Sequence, residues 1–390
     1  MKLADAFSLI RNGASIKQYD NATGTPITRI ETISNRVVDR NKCGYADVFD
    51  IEKYQDYVLQ DGDILMSHIN SVQHLGKTAL YNKIDGEVLI HGMNLLVLRP
   101  KREILEPNYA YIALNSLKFL RQLPRITKKS VNQASFSVND LKQTDIDVPS
   151  ISKQKEIAHT VMQIDRMIAN RQQALSVVNE LVKSRFVEMF GDPVSNSMGW
   201  KIVKLVDVCD KVTDGTHFSP ESYAEGDYKY VTAKNIKESG FDFTNITYVT
   251  KDIHSDIFSR CNPEYGDVLY IKDGVTTGIA MVNTLHEEFS LLSSVALIKQ
   301  KRDVLNGIFL CAVLNNANMY RTIRSMMGGA AITRLTVAKI KPFKIIIPPI
   351  NLQNQFADFV VQTDKSKLAV QQSIDTLQTL KEKLMQDYFG

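Results

Sequence analysis

Residues 149–191 read PSISKQKEIAHTVMQIDRMIANRQQALSVVNELVKSRFVEMFG, and residues 348–390 read PPINLQNQFADFVVQTDKSKLAVQQSIDTLQTLKEKLMQDYFG. A constant shift of 199 residues aligns the two stretches without a gap. The alignment places Gln154 on Gln353 and Asp165 on Asp364, and both stretches end in Phe-Gly. A register of this length predicts an internal duplication, which has to be recognised before any fold is assigned.

The duplication extends upstream, where it becomes looser. SFSVNDLKQTDIDVP (135–149) matches RLTVAKIKPFKIIIP (334–348) at the same shift, and DGDILMS (61–67) resembles YGDVLYI (265–271) at a shift of 204. Short alternating runs broken by Gly, Asn and Asp predict strands, with helices at 107–121 and 307–324. The turn-rich GDPVSNSMGW (191–200) separates the halves. We therefore predict an α+β protein with a strand-rich domain at 1–148, a central helix at 149–193, a second strand-rich domain at 194–347 and a distal helix at 348–390.

The repeated stretches have the pattern of long helices. Residues 153–190 contain neither Pro nor Gly, and a helix of about 38 residues would be about 57 Å long. Apolar residues in alternating steps of four and three favour a coiled coil between the two helices. Packing of each helix on its own domain is the alternative. The residues expected to serve helix pairing or partner docking are Ile157, Val161, Ile164, Ile168, Leu175, Val178, Phe356, Val360, Val370, Ile374, Leu377 and Leu384. Charged residues interrupt the same seam, namely Arg171, Arg185, Lys367 and Lys381.

The composition is that of a globular protein of two to three domains. Hydrophobic residues make up 44% and charged residues 23% of the 390 residues, and the net charge is +4. The four cysteines are far apart and form no CxxC, so we expect neither disulfides nor a metal site, and we expect a cytoplasmic location. The most apolar short run, IIIPPI (345–350), is too short to span a bilayer, so we expect no membrane association.

Positive charge is concentrated just before each repeated helix. Residues 116–142 carry six Lys or Arg against one acid, and residues 316–344 carry six and no acid. Such residues bind phosphates and release counterions, and interleaved Asn, Gln, Thr and Arg can contact base edges, so we expect double-stranded DNA as a partner. Polar loops at 67–78, 214–221, 232–235 and 273–278 add candidates. The predicted DNA contacts are Arg121, Arg125, Lys128, Lys129, Asn132, Gln133, His68, Thr213, His217, Lys234, Lys272, Thr276, Thr277, Arg321, Arg324, Thr333 and Arg334.

The sequence offers no catalytic constellation. The motifs GxxxxGK[ST], HExxH, GxSxG and GxGxxG are absent, and NPEY (262–265) departs from the Asn-Pro-Pro-aromatic motif of adenine methyltransferases. We therefore expect no catalytic residue and a binding role. Two alternatives stay open: a stand-alone DNA methyltransferase or nuclease with unrecognised motifs, and a duplicated docking scaffold that does not bind DNA.

Together these features resemble a known family. TDGTHFSPE (213–221), GDVLYIKDGVTTG (266–278), EMFGDP (188–193) and DYFG (387–390) are similar to segments of the specificity subunits, often called HsdS, of Type I restriction-modification systems. The first domain departs from the pattern, because its equivalent of TDGTHFSPE reads RNGASIKQYD (11–20).

The resemblance implies two target recognition domains on an antiparallel coiled coil, each reading one half of a bipartite, asymmetric DNA site. It further implies that the helices set the spacing and dock two methyltransferase subunits. Those subunits would use S-adenosylmethionine, and motor-nuclease subunits would complete the enzyme. The chain itself would hold no cofactor and carry no catalysis.

Overall fold

A computed structural model describes residues 1–21, 23–130, 133–327 and 334–390. Two of the predicted DNA contacts, Asn132 and Thr333, lie outside the described residues. The chain divides into two compact units. Unit 1 comprises Met1–Gln172 and Gln372–Gly390, and unit 2 comprises Gln173–Gln371. Each unit therefore contains one half of each long helix.

Unit 1 is rich in short strands. Its strands are β1 (Phe7–Asn12), β2 (Gln18–Tyr19), β3 (Thr25–Ile27), β4 (Gly44–Ala46), β5 (Ile64–Ser67), β6 (Ile69–Asn70), β7 (Thr78–Leu80), β8 (Leu95–Pro100), β9 (Lys128–Lys129) and β10 (Ala134–Ser135). Its helices are α1 (Leu3–Ala6), α2 (Pro107–Leu114), α3 (Leu117–Leu120), α4 (Leu123–Ile126), α5 (Val138–Lys142) and the first half of α6 (Ile151–Phe190).

Unit 2 has the same kind of composition. Its strands are β11 (Lys201–Lys204), β12 (Cys209–Asp214), β13 (Tyr228–Val231), β14 (Ile236–Lys237), β15 (Gly240–Phe241), β16 (Thr247–Val249), β17 (Val268–Ile271), β18 (Ala280–Val282), β19 (Ser290–Leu291), β20 (Val295–Gln300) and β21 (Lys344–Ile347). Its helices are α7 (Lys251–Arg260), α8 (Gly307–Asn315), α9 (Ala317–Ser325), α10 (Val337–Ile340) and the first half of α11 (Ile350–Phe389).

The central sheet has the same topology in both units. Its antiparallel order is β1-β8-β5-β7 in unit 1 and β12-β20-β17-β18 in unit 2. Alternate residues of β5 enter different hydrophobic clusters, since Ile64 and Met66 join the cluster that contains α2 whereas Leu65 joins the opposite one. Successive side chains of a strand point to opposite faces, so both faces of the sheet are covered. This explains why β17 is apolar throughout and why β5 is apolar up to its last residue, Ser67.

The long helices pair antiparallel within each unit. In unit 1 the start of α6 lies along the end of α11, where Lys381 pairs with Asp165 and the Arg171 Nε donates to the Ser373 Oγ at 2.8 Å. In unit 2 the rings of Phe186 and Phe356 are 5.6 Å apart between centroids. The predicted α+β class with an antiparallel helix pair is confirmed. The helices also pack on the domains, so both sequence interpretations describe part of the packing.

Every predicted seam residue is at least partly buried. Ile157, Val161, Ile164, Phe356 and Ile374 are buried, and the others are half-buried. The charged positions of the seam are half-buried too. Because long Arg and Lys side chains can cover apolar surface with their methylene groups, these positions are compatible with the packing.

Each shorter predicted helix is divided in two by a capping residue. The prediction at 107–121 becomes α2 and α3, because the Ser116 Oγ accepts a hydrogen bond from the Phe119 N–H and begins a new helix. The prediction at 307–324 becomes α8 and α9, because the Asn316 side chain accepts from the N–H groups of Asn318 and Met319. Ser and Asn are strong helix-capping residues.

Candidate nucleic-acid interface

In unit 1 the basic segment is a short hairpin beside the central sheet. The strands β9 and β10 pair with each other, and β10 also pairs with β6. The Phe136 N–H donates to the His68 carbonyl at 3.2 Å and continues this pairing. Lys128, Lys129 and Gln133 are exposed on the hairpin. The strand β10 therefore joins these predicted contacts to residues 68–76, which lie between β5 and β7 and are called turn 1 below.

The two arginines before the hairpin are also exposed. Arg121 follows α3, and Arg125 lies on α4. The helix α4 is packed on turn 1, where Gly76 has φ +75° and a Cβ at this position would lie 2.2 Å from the Leu123 Cδ1. Unit 1 thus brings Arg125 close to turn 1 through Leu123.

His68 is buried below this surface. It is 4% exposed, and its ring centroid lies 6.4 Å from that of Phe136. Burial lowers the pKa of His68 to about 4, so the imidazole is neutral near neutral pH. Its Nδ1 has no hydrogen-bond partner. A direct contact between His68 and DNA stays a prediction, and it would require movement of the surrounding turn.

In unit 2 a series of five charged or ionisable residues links three loops. The Lys272 Nζ is 3.5 Å from an Asp214 carboxylate oxygen and 3.1 Å from an Asp273 carboxylate oxygen. Asp214 lies 3.1 Å from the His217 Nε2, and Asp273 lies 3.3 Å from the Arg334 Nε. We call His217, Asp214, Lys272, Asp273 and Arg334 the ion-pair chain. Its middle member, Lys272, is 1% exposed, whereas the side chains of His217 and Arg334 are 54% and 55% exposed.

Residues 272–278, called turn 2, connect β17 to β18, and Arg324 forms hydrogen bonds to the backbone of this turn. The Arg324 Nη1 donates to the carbonyl groups of Val275 and Thr277, both at 3.2 Å. The Thr277 Oγ1 donates to the Gly274 carbonyl at 2.7 Å. Thr277 is buried and Thr276 is half-exposed. The predicted contacts of this turn are therefore parts of one fixed structure.

Of the remaining predicted contacts of unit 2, Thr213 and Lys234 lie near turn 2, whereas Arg321 does not. Thr213 is half-buried on β12, beside Asp214. Lys234 is exposed in a segment whose Ala233 N–H donates to the Ser294 Oγ, while the Ser294 carbonyl accepts from the Lys272 N–H. A different environment surrounds Arg321, which donates to the Ala317 carbonyl and to the Asn318 side chain.

The two units share the backbone pairing at the start of turns 1 and 2, but the side chains at these positions differ. The bridge between Asp273 and Arg334 in unit 2 takes the place of the pair Ile69 and Ser135 in unit 1. Lys272 takes the place of His68, since the Leu335 N–H donates to the Lys272 carbonyl as the Phe136 N–H does to that of His68. Sequence reasoning missed the roles of Asp214 and Asp273. The available signal was that Lys272 directly follows the wholly apolar strand VLYI, so its charge needs buried partners.

The described part of the chain contains no cluster of three or more His, Cys, Asp or Glu side chains that could hold a metal ion. Within the same part, no helix combines the length and the apolar character needed to cross a membrane.

Two similar strand-rich units, each with a basic segment near a turn of its central sheet and each with paired helices, define a duplicated DNA specificity protein. The chain belongs to the Type I restriction modification DNA specificity domain family, whose model matches residues 1–180 and again 198–379. The family resemblance drawn from the sequence is confirmed.

Individual relatives agree with this family. The chain is 28% identical over 401 residues to the type I restriction enzyme MjaX specificity subunit of Methanocaldococcus jannaschii, covering 98% of this chain and 91% of the relative. The crystal structure of the S subunit of a Type I restriction-modification system from M. genitalium has the same fold, with a TM-score of 0.63 and 14% identity, covering 100% of this chain and 95% of that chain. A second solved structure, from work on complex assembly and conformational transition of the type I R-M system, has a TM-score of 0.54 and 18% identity. The match covers 100% of this chain and 96% of that chain.

Proposed function

We propose that this chain is the DNA-sequence-specificity subunit of a Type I restriction-modification enzyme, in which each unit binds one half of a bipartite DNA site. The observation that carries the proposal is the repeated combination of a turn on the central sheet with a basic segment. Turn 1 is joined through β10 to β9, which carries Lys128 and Lys129, and turn 2 contacts Arg324 and Arg334. Exposed cations bind phosphates, and polar side chains on a fixed turn can contact base edges.

The target is asymmetric in this proposal. Turn 1 begins with a neutral, buried His68 packed on Phe136, whereas turn 2 begins with a buried Lys272 that is paired with two aspartates. Turn 1 is also longer than turn 2. The hydrogen bond that closes turn 1 joins the Gly76 N–H to the Ser67 carbonyl, whereas the bond that closes turn 2 joins the Gly278 N–H to the Ile271 carbonyl, two residues fewer apart. Different turns present different donors and acceptors to the bases, so the two half-sites differ in sequence.

The long helices set the distance between the half-sites and dock the catalytic subunits. Support for docking comes from apolar side chains that α6 and α11 leave exposed, including Val177 at 60%, Leu181 at 52% and Leu368 at 60%. Exposed apolar surface on a helix is typical of a protein interface. We assign these surfaces to two methyltransferase subunits, which bind S-adenosylmethionine, and motor-nuclease subunits join them in the complete enzyme.

Sequencing of methylated bases tests this function. The complete operon is expressed in a host that lacks other methyltransferases, and modified adenines are mapped on its genome. We expect one motif with two different halves at a constant gap. A chain that binds S-adenosylmethionine or cleaves DNA without partners would instead support an independent enzyme. Absence of any modified motif from a complex that assembles would contradict the proposal.

A further inference from the structure

The apex of turn 2 presents an apolar side chain to solvent. Val275 is 90% exposed, although valine is a residue that folded proteins usually bury. The backbone beneath it is fixed, because Arg324 donates to the carbonyl groups of Val275 and Thr277 and the Gly278 N–H donates to the Ile271 carbonyl at 2.8 Å. Gly278 has φ +109°, and a Cβ there would lie 2.6 Å from the Tyr320 ring. The exposed valine therefore projects from a rigid support.

The equivalent turn of unit 1 carries the same feature. Val72 is 57% exposed in a short 3-10 segment, Val72–His74, within turn 1. The turn closes in the same way, since the Gly76 N–H donates to the Ser67 carbonyl at 2.8 Å, and it is also packed on a helix. Scattered exposed valines need no explanation, but here one occurs in the equivalent turn of both units.

Two cations contact the turn that carries the exposed valine in unit 2. Arg324 donates to the Val275 carbonyl, and Arg334 pairs with Asp273, two residues before Val275. In unit 1 the basic hairpin β9–β10 adjoins turn 1 through β6. An apolar tip on a turn that cations contact is complementary to a DNA groove, in which base edges form the floor and phosphates form the walls.

We propose that Val275 contacts the 5-methyl group of a thymine in the major groove of the half-site bound by unit 2, and that Val72 does the same in the half-site of unit 1. This inference rests on the proposed DNA-specificity function. The thymine methyl is the apolar group that base pairs present in the major groove. Side chains that part base steps from the minor groove are longer or broader than valine, such as Phe, Leu, Ile and Met. The short, branched side chain therefore favours methyl contact.

Deoxyuridine substitution tests this contact, because deoxyuridine is thymidine without the methyl group. The assembled specificity–methyltransferase complex is titrated with duplexes that carry the mapped motif, with each thymine of the unit 2 half-site replaced in turn. We expect one replacement to weaken binding about fourfold, as expected for losing one buried methyl. Val275→Ala should weaken binding of the unmodified duplex about four- to tenfold. On the substituted duplex, Val275→Ala should cause a smaller loss than on the unmodified duplex.

Two control variants distinguish a specific contact of Val275 from a general effect of removing an exposed valine. Val194→Ala, an exposed valine of unit 2 that is 44% exposed outside the turn, should leave binding unchanged. For Val72→Ala, the loss of affinity should depend only on deoxyuridine in the half-site bound by unit 1. The contact would be overturned if the losses in affinity from Val275→Ala and from deoxyuridine were independent and additive. A unit 2 half-site made of G·C pairs alone would also overturn it. So would a Val275→Ala variant that assembles less well with its partner subunits but has unchanged DNA affinity. If the complex bound all sequences equally, the DNA-specificity function itself would fail.

Discussion

Gln154 and Gln353 make the same three hydrogen bonds in the two units. The Gln154 Nε2 donates to the carbonyl groups of Ile104 and Pro149, and its Oε1 accepts from the Glu106 N–H. The Gln353 side chain bonds in the same way to Val304, Pro348 and Asn306. Both glutamines are fully buried. Each one fastens the start of a long helix to the loop that follows the central sheet.

Replacing either glutamine by leucine should destabilise its unit. The substitution leaves one N–H and two carbonyl groups without their partner in a buried place, and each unsatisfied group costs about 1–3 kcal/mol. We expect Gln353→Leu to lower the free energy of unfolding by at least about 2 kcal/mol in a urea titration. Gln163→Leu, an exposed position on α6, is the control and should change stability little. Equal stabilities for Gln353→Leu and wild type would show that the loop is held by other contacts.

The basic segment of unit 1 should contribute phosphate contacts. Substituting Arg125, Lys128 and Lys129 by alanine should weaken DNA binding without unfolding the protein, since all three are exposed. Each lost phosphate contact should reduce the slope of log K against log salt by about 0.9. Lys83→Ala is a suitable control, because Lys83 follows β7 at the end remote from turn 1. An unchanged affinity and salt slope would place the hairpin away from the DNA.

The ion-pair chain should be most sensitive at its buried centre. Lys272→Met leaves Asp214 and Asp273 without their shared cation, and removal of one partner from a buried pair costs about 3–5 kcal/mol. Adding Asp214→Asn should recover part of that loss in a urea titration. Lys237→Met removes an exposed pair with Asp242 and should cost less than about 1 kcal/mol. Similar losses for Lys237→Met and Lys272→Met would contradict the importance of burial.

The helices should act as a ruler between the half-sites. Residues 172–178 of α6 and 366–372 of α11 are one heptad of each helix, so deleting both preserves the alternation of seam residues. The loss of seven residues shortens a helix by about 10 Å, which corresponds to about three base pairs. Mapping of methylated motifs should show a gap shortened by that amount, or no activity. An active variant with an unaltered gap would reject the ruler. Deletion of the heptad from α6 alone should abolish activity, because the paired helices would lose register.

Acid should destabilise unit 1 through two buried histidines. Burial lowers the pKa of both His68 and His91 to about 4. Above about pH 6.5 the imidazoles are neutral in the folded and unfolded states, so stability does not change through them. As the pH falls from about 6.5 towards 4, only the unfolded chain takes up these protons. Unit 1 then loses stability by up to about 1.4 kcal/mol per pH unit for each histidine.

Thermal unfolding between about pH 6.5 and 5 measures this effect. Leu291 takes the place of His91 in unit 2, since the Thr216 N–H donates to the Leu291 carbonyl as the Ala14 N–H does to that of His91. His91→Leu should therefore fold and show a weaker pH dependence. His286→Gln, an exposed position, should retain the full dependence. A His91→Leu profile parallel to that of wild type would assign acid sensitivity to other groups.

Periodicity in the sequence predicted the helices well and their surroundings less well. The seam residues, from Ile157 on α6 to Leu384 on α11, are visible in the sequence because a helix repeats its buried face at fixed steps. The break between α2 and α3 depends on one cap, Ser116, which interrupts an otherwise helical pattern. The site was harder to predict, because charge alone does not distinguish an exposed Arg from a buried Lys. Arg321 and Arg324 lie one turn apart on α9, yet only Arg324 contacts turn 2.

The division of the helices between the units has a consequence for protein synthesis. Unit 2 is continuous in the chain, whereas unit 1 includes Gln372–Gly390, and Phe389 packs in its core with ring centroids 5.7 Å from Tyr109. A ribosome delivers this last segment only after all of unit 2 has emerged. The domain translated first is therefore completed last, because Tyr109 of α2 packs against Phe389, which is 280 residues later in the chain (389 − 109). Such a nascent chain exposes apolar surface during translation, a condition in which chaperones are commonly needed.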